Sequence, residues 1–276
     1  MKLFMRSLQL DFAFLRIYDI SLFHKLFFIM IKYLLLVKNS ILGFTIGKSY
    51  ITVFGKKYFY QDKFGTAFLQ SVYIDNAFLS HFISPGSVII DVGANIGQFN
   101  FFCKNFLSAS KVYSFEPIKS TFNILMRNSL EHNYQCAVST NTSVTMHIPK
   151  ATSLMASGVQ ASSDDTRETV DGKKLDDIEA VKNEWVIDLL KIDTEGTELD
   201  VLKASIQTAK KSRYILVEAS MARKSLGDVT ELIVFLENHI PNIKLIWVGR
   251  PYMSQGNSMD ACDMLFYNDK ATGLTV

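Results

Sequence analysis

The sequence predicts an α/β fold: a doubly wound, mostly parallel seven-stranded sheet with helices on both faces and an antiparallel last strand. Three observations predict it. From residue 86 onward, short apolar runs alternate with longer stretches of helical pattern. The first run, 88–92, is a short, nearly continuous apolar segment, as expected of a strand covered on both faces. The last two runs lie close together with no helix between them, so the pair includes one antiparallel strand.

Residues 1–81 form a separate N-terminal extension in this reading, and 82–276 the α/β domain. Within the extension, Leu15, Tyr18, Leu22, Leu26, Ile29, Tyr33 and Leu36 recur at three- and four-residue steps, which places them on one helical face. Arg16, His24, Lys25 and Lys32 lie off that stripe, while Phe23, Phe27, Phe28 and Leu35 widen the apolar surface. Charges at Arg16, Asp19, Lys25, Lys32 and Lys38 interrupt 13–38 too often for a transmembrane helix. Asp11, Arg16 and Asp19, and the lack of a small-residue cleavage site, argue against a signal peptide. Residues 49–60 read as a short hairpin, 64–82 as a helix, and Ser84-Pro85-Gly86 as a turn.

Charge is unevenly placed. The net charge is only +2, yet residues 1–63 carry ten Lys/Arg against three Asp, or +7. The remainder carries nineteen Lys/Arg against twenty-four Asp/Glu, or −5. That asymmetry points to an anionic partner at the front. Two readings stay open. The front is a helical arm that packs on its own domain or on a second copy in a homo-oligomer. Alternatively, residues 1–45 form a basic interfacial helix on an anionic membrane. The expected location is cytoplasmic, peripheral on the inner membrane face in the second reading. Three scattered cysteines (Cys103, Cys136, Cys262) give neither a disulfide framework nor a zinc site.

The α/β domain runs in order. Strands are expected at 88–92, 111–115, 134–138, 186–192, 214–217, 243–248 and 262–267. Helices are expected at 97–107, 118–131, 197–210 and 229–239. Residues 140–180 break the rhythm. They are rich in Ser, Thr, Asp and Gly, with short strand-like pieces at 144–148, 158–161 and 168–170. They read as an inserted flap or loop, either a solvated connector or a wall of a substrate pocket.

Three motifs fall at the carboxyl ends of strands, where ligands bind in open α/β sheets. Asp91-Val92-Gly93-Ala94-Asn95-Ile96-Gly97 closes the first strand and opens the first helix. Gly93 and Gly97 allow tight turning and close approach to a ligand, and Asp91 suits a cationic amino group. The spacing lacks both the G-x-G-x-x-G of dinucleotide binders and the G-K-[ST] of a P-loop. Glu116, in Phe115-Glu116-Pro117, lies about 20 residues on, where a carboxylate accepts hydrogen bonds from ribose hydroxyls. Asp193, Glu195 and Glu198 crowd the end of the fourth strand. Crowding favours a general base, with Asp193 the first choice and Glu195 the second. The competing uses are a helix cap at Glu195 and oxygen ligands for a divalent cation; no metal is assigned. Glu218 ends the fifth strand beside them and, with Glu198, is a candidate to meet the substrate.

These segments resemble the FkbM family of methyltransferases. The resemblance rests on 88–97, Val112-Tyr113-Ser114-Phe115-Glu116-Pro117, Leu175-Asp176-Asp177-Ile178, 188–196 and Ile215-Leu216-Val217-Glu218, in that order, and on Ala137-Val138-Ser139. It covers about residues 82–267. It implies a class I methyltransferase (Rossmann-like) fold and S-adenosylmethionine as cofactor. It also implies O-methylation, often of a sugar or natural product, hence a small-molecule or glycan acceptor. By that analogy Asp91, Gly93, Ala94, Asn95 and Gly97 surround the methionine part, Glu116 with Pro117 holds the ribose, and Ala137 and Val138 lie near the adenine. Nucleic acid is not an expected partner, because the core is acidic and the Asn/Asp-Pro-Pro-aromatic signature of base methylation is absent. The rival from another class is a scaffold that kept the fold and the cofactor but lost the chemistry.

Overall fold

The computed structural model describes residues 2–17, 20–42, 50–60, 65–149, 158, 165–220, 228–253 and 259–271. Statements of absence below concern these residues. The expected strand-like piece at 158–161 lies outside them except for Gly158.

Seven strands form the path of the central sheet, in the order β11-β13-β10-β9-β3-β4-β5. They are β3 (Val88–Val92), β4 (Lys111–Phe115), β5 (Asn133–Tyr134), β9 (Ile187–Ile192), β10 (Ser212–Ser220), β11 (Lys244–Val248) and β13 (Met259–Tyr267). β12 (Tyr252–Met253) adds a short pairing to β13. The pairs β3–β4, β3–β9, β4–β5 and β9–β10 are parallel. β13 inserts antiparallel between β10 and β11, as expected for the last strand.

Strand alternation divides the core. Ile89, Val112, Leu189, Leu216 and Leu265 face one apolar cluster, and Ile90, Tyr113, Leu190, Ile215 and Phe266 face the other. The first face is covered by α4 (Gln98–Asn105) and by side chains of the extension: Phe14, Phe28, Ile51, Tyr58, Leu69 and Tyr73. The second face is covered by α7 (Glu198–Lys203), α8 (Ile206–Lys210) and α9 (Val229–His239). Residues on both sides of position 82 therefore share one core.

Three local expectations change. The expected strand 134–138 divides at Cys136. Asn133–Tyr134 stays on β4, whereas β6 (Ala137–Val138) leaves the sheet to pair with β8 (Thr166–Lys173). With β7 (Ser143–Ile148), these build a three-stranded sheet from the flap region. The expected helix 197–210 breaks at Ala204–Ser205. There the Ser205 hydroxyl donates to the Val201 carbonyl, a side-chain bond that competes with helix continuation.

The third change is in the extension. Instead of one stripe through 15–36 there are two helices, α1 (Lys2–Leu15) and α2 (Leu22–Leu42). Leu22 and Leu26, on the apolar stripe, are exposed, whereas Lys25 and Lys32, off it, are buried. The reason is polar. Lys25 Nζ donates to the Leu15 carbonyl at the end of α1 at 2.9 Å. Lys32 pairs with Asp11 and donates to Gln70 of α3 (Gly65–Asn76) at 3.1 Å. Gln70 and Tyr33 also donate to Asp11, at 2.8 and 2.7 Å. Tyr18 and the Leu36 side chain lie outside the described residues. The hairpin is as expected, β1 (Tyr50–Val53) against β2 (Lys56–Phe59), turning at Phe54-Gly55 with both φ positive.

Candidate active site

The turn after β3 is built by backbone conformations that few residues tolerate. Gly93 (φ 85°), Asn95 (φ 55°) and Gly97 (φ 90°) are all left-handed. The N–H groups of Gly93 and Ala94 both donate to the Phe115 carbonyl, at 3.0 and 2.9 Å. Asp193 N–H donates to the Val92 carbonyl at 3.0 Å, which ties the end of β9 to the end of β3. A Cβ on Gly93 would stand 1.8 Å from the Asp193 carbonyl oxygen. Only glycine lets the two strand ends meet this closely.

Glu116 braces that turn. Its carboxylate accepts from Asn95 N–H at 3.1 Å and from Ile118 N–H at 2.8 Å. Burial lifts its pKa to about 7 despite those two donors. Each oxygen keeps a lone pair for a further donor. Gly93, Ala94, Asn95, Glu116 and Pro117 line one side of a cleft of about 550 Å³. Ala137 and Val138, with Cys136, Val144 and Met146, give it an apolar wall.

The lining also carries an acidic group. Asp193, Glu195 and Glu218 form it, and one carboxylate oxygen of each lies within 4.8 Å of the others. Lys191, buried beneath, donates to Asp193 at 2.8 Å and lies 3.7 Å from Asp91, too far for a hydrogen bond. Burial alone would lower the lysine pKa, but Asp193 and Asp91 outweigh it and hold the ammonium charged. Burial pushes Asp193 up, yet Lys191 and a hydrogen bond with Glu218 bring it below the usual carboxylate range. Glu218 is driven well above that range by Asp193, by burial and by Glu195. Asp193 is therefore the stronger acid of the two, and Glu218 keeps its proton to higher pH.

The expected site residues do not all reach the cleft. Asp91 is fully buried behind the turn, with neither oxygen hydrogen-bonded, and burial raises its pKa to about 6. Gly97 packs against Leu125 and serves the helix start. Glu198 turns its carboxylate onto its own loop, accepting from Gly196 N–H at 2.7 Å, so the structure keeps it off the cleft lining.

Residues 91–240, over half of the chain, match the domain described as Methyltransferase FkbM domain. The chain belongs to the FkbM methyltransferase family. It is 29% identical to the 31-O-demethyl-FK506 methyltransferase FkbM of Streptomyces tacrolimicus, over 59% of this chain and 78% of that protein. It is also 29% identical to Methyltransferase 1 of Beauveria bassiana (strain ARSEF 2860), over 49% of this chain and 64% of that one. Among solved structures, the FkbM methyltransferase from Methylobacillus flagellatus KT aligns with a TM-score of 0.44 at 17% identity. That alignment spans 75% of this chain and 55% of the other. Magnesium protoporphyrin IX methyltransferase from Synechocystis PCC 6803 aligns with a TM-score of 0.41 at 10% identity, over 74% and 81%.

The cofactor of this FkbM-family methyltransferase is S-adenosylmethionine, and the cleft suits it. The glycine turn admits close backbone approach, Glu116 has spare acceptor capacity, and Ala137 and Val138 offer an apolar surface. The carboxylates of Asp193, Glu195 and Glu218 on the cleft lining favour a cationic ligand. Two contributors were not found by motif. Asp263 of β13 pairs across from Glu218, and burial with Asp193 nearby raises its pKa to about 7. From α3, Ser71, Val72, Asp75 and Asn76 close the rim, where Asp75 meets Arg250 at 3.4 Å. Alternation on β13 could have flagged Asp263; nothing in the sequence signals the α3 residues.

Proposed function

We propose that the chain O-methylates a hydroxyl of a glycan, glycolipid or natural product, with Asp193 as the base. The observation that carries this reading is the carboxylate group of Asp193, Glu195 and Glu218 lining the cleft, with the buried Lys191 ammonium 2.8 Å from Asp193. The name of the Streptomyces relative, which concerns an oxygen of FK506, supports an oxygen acceptor.

When bound, S-adenosylmethionine supplies an electrophilic sulfonium methyl group. The chain does the rest by placement. Glu116 and the Gly93–Gly97 turn hold and orient the cofactor, while Ala137 and Val138 exclude water from its apolar part. Asp193 stays ionised beside Lys191 and accepts the acceptor hydroxyl proton at Oδ. Lys191 offsets the charge of Asp193 and Asp91, so the base is oriented as well as ionised. Positioning supplies the larger share of the rate and the base about 10²–10⁴-fold.

Asp193→Asn tests the assignment. Turnover should fall by about that factor while calorimetry shows unchanged S-adenosylmethionine binding. Full activity in this variant would refute the role. A scaffold without chemistry would bind the cofactor and show no turnover with any hydroxyl acceptor.

A further inference from the structure

Helix α2 is built inside out. At ~100° per residue, Leu22, Phe23, Leu26, Met30, Leu34 and Val37 fall in one arc of about 120°. All six are exposed, Phe23 at 73%. The opposite face carries Lys25 and Lys32, with Lys32 only 3% exposed and clamped to Asp11 and Gln70. The polar knot fixes this orientation. A rotation that hid the leucines would strand Asp11 without its cation and leave the end of α1 without the Lys25 donor. An apolar face held outward by buried charges is a surface made for something other than water.

We propose that this face of α2 lies in the interface of an anionic lipid bilayer. Charge decides between a bilayer and a second copy of the chain. With Lys25, Lys32 and Asp11 buried, residues 1–63 still carry eight Lys/Arg against two Asp. Two such fronts brought together across one helix face repel, whereas anionic headgroups attract each of them. Among the described residues no helix is long and apolar enough to cross a membrane, which suits a helix that lies on the surface. The same helix knot reaches the cleft: Gln70 binds Lys32, and one residue on, α3 begins to line the cleft with Ser71, Val72 and Asp75. Docking through α2 therefore holds the α3 side of the cleft in fixed relation to the bilayer.

Flotation of the full chain with vesicles tests this. One set is phosphatidylcholine with phosphatidylglycerol, the other phosphatidylcholine alone. The wild type should float with the anionic vesicles and far less with the neutral ones. Phe23→Ser/Leu26→Ser should weaken that partition at least about tenfold, because two large exposed side chains leave the lipid. Trp185→Ser, a change at an exposed position on the sheet domain, should float like wild type. Each variant is first checked for an unchanged melting temperature and unchanged S-adenosylmethionine binding. Failure of the wild type to float overturns the proposal, as does equal flotation of the double variant. A wild-type dimer that the double variant converts to monomer, without vesicle binding, assigns the face to a second copy and also overturns it. None of these readouts depends on turnover, so failure here is separate from failure of the O-methylation reading.

Discussion

Lys191, 2.8 Å from Asp193, helps make that carboxyl the stronger acid of the Asp193–Glu218 pair. Removing the lysine changes the balance. In Lys191→Met, Asp193 loses the ammonium at 2.8 Å and its pKa rises. The acid limb of the kcat/KM profile should therefore move to higher pH, since activity needs the ionised base. A rate profile from pH 5 to 9 checks this; an unmoved limb would place the base elsewhere. At this scale much was legible in the sequence. Gly93, Glu116, Asp193 and Glu218 could be found because their chemistry sits at strand ends, where chain order predicts convergence. Asp91 and Glu198 show the limit. A carboxylate near a motif is visible in sequence, but whether it faces a cleft or its own backbone depends on side-chain direction, which spacing does not encode.

Elements carry the next set of consequences. The β3 turn and the end of β9 touch backbone to backbone at Gly93. Gly93→Ala puts a methyl into the Asp193 carbonyl on a residue with φ of 85°, so it should cost roughly 1–3 kcal/mol and weaken cofactor binding. Urea denaturation and calorimetry read the two effects. In the extension, Lys32→Met should cost roughly 3–5 kcal/mol by stranding a buried Asp11, with Tyr33 and Gln70 left as its only described partners. Urea denaturation of that variant gives the number. The same helix shows why the sequence left two readings of the extension open. Periodicity finds a stripe but not which way it points. An apolar stripe normally turns inward, and here two buried lysines, each with a specific acceptor, turn it outward. The broken helix at Ser205 and the divided strand at Cys136 were hidden for a related reason. Each depends on a local competitor, a hydroxyl or a neighbouring strand, that propensity does not register.

The whole molecule buries several carboxylates near one cleft, and its stability should reflect that. Asp91, Glu116 and Asp263 have pKa values raised by burial to about 6, 7 and 7. For these groups the folded chain binds more protons than the unfolded chain, so their contribution is full below the unfolded values and is lost as pH rises through the folded ones. Asp193 runs the other way: its lowered pKa contributes stability above the unfolded value and loses it as pH falls. Glu218 is raised as well, so the raised carboxylates outweigh Asp193, and the melting temperature of the ligand-free protein should decline between about pH 5 and 7.5. Glu116→Gln should make the decline shallower, and calorimetry across that range checks it. The doubly wound order was readable because each strand announces itself as an apolar run. The role of residues 1–81 as the cover of one sheet face was not, because those contacts join residues far apart in sequence. The central claim is methyl transfer to oxygen with Asp193 as base. It is tested most directly by giving the purified chain S-adenosylmethionine with a deuterated methyl group and a panel of hydroxyl-bearing glycans and natural products, then reading products by mass spectrometry. The wild type should form a labelled O-methyl product, and Asp193→Asn should lose about 10²–10⁴-fold of it. Labelled product formed equally by both proteins, or a label found on nitrogen or carbon, would contradict that claim.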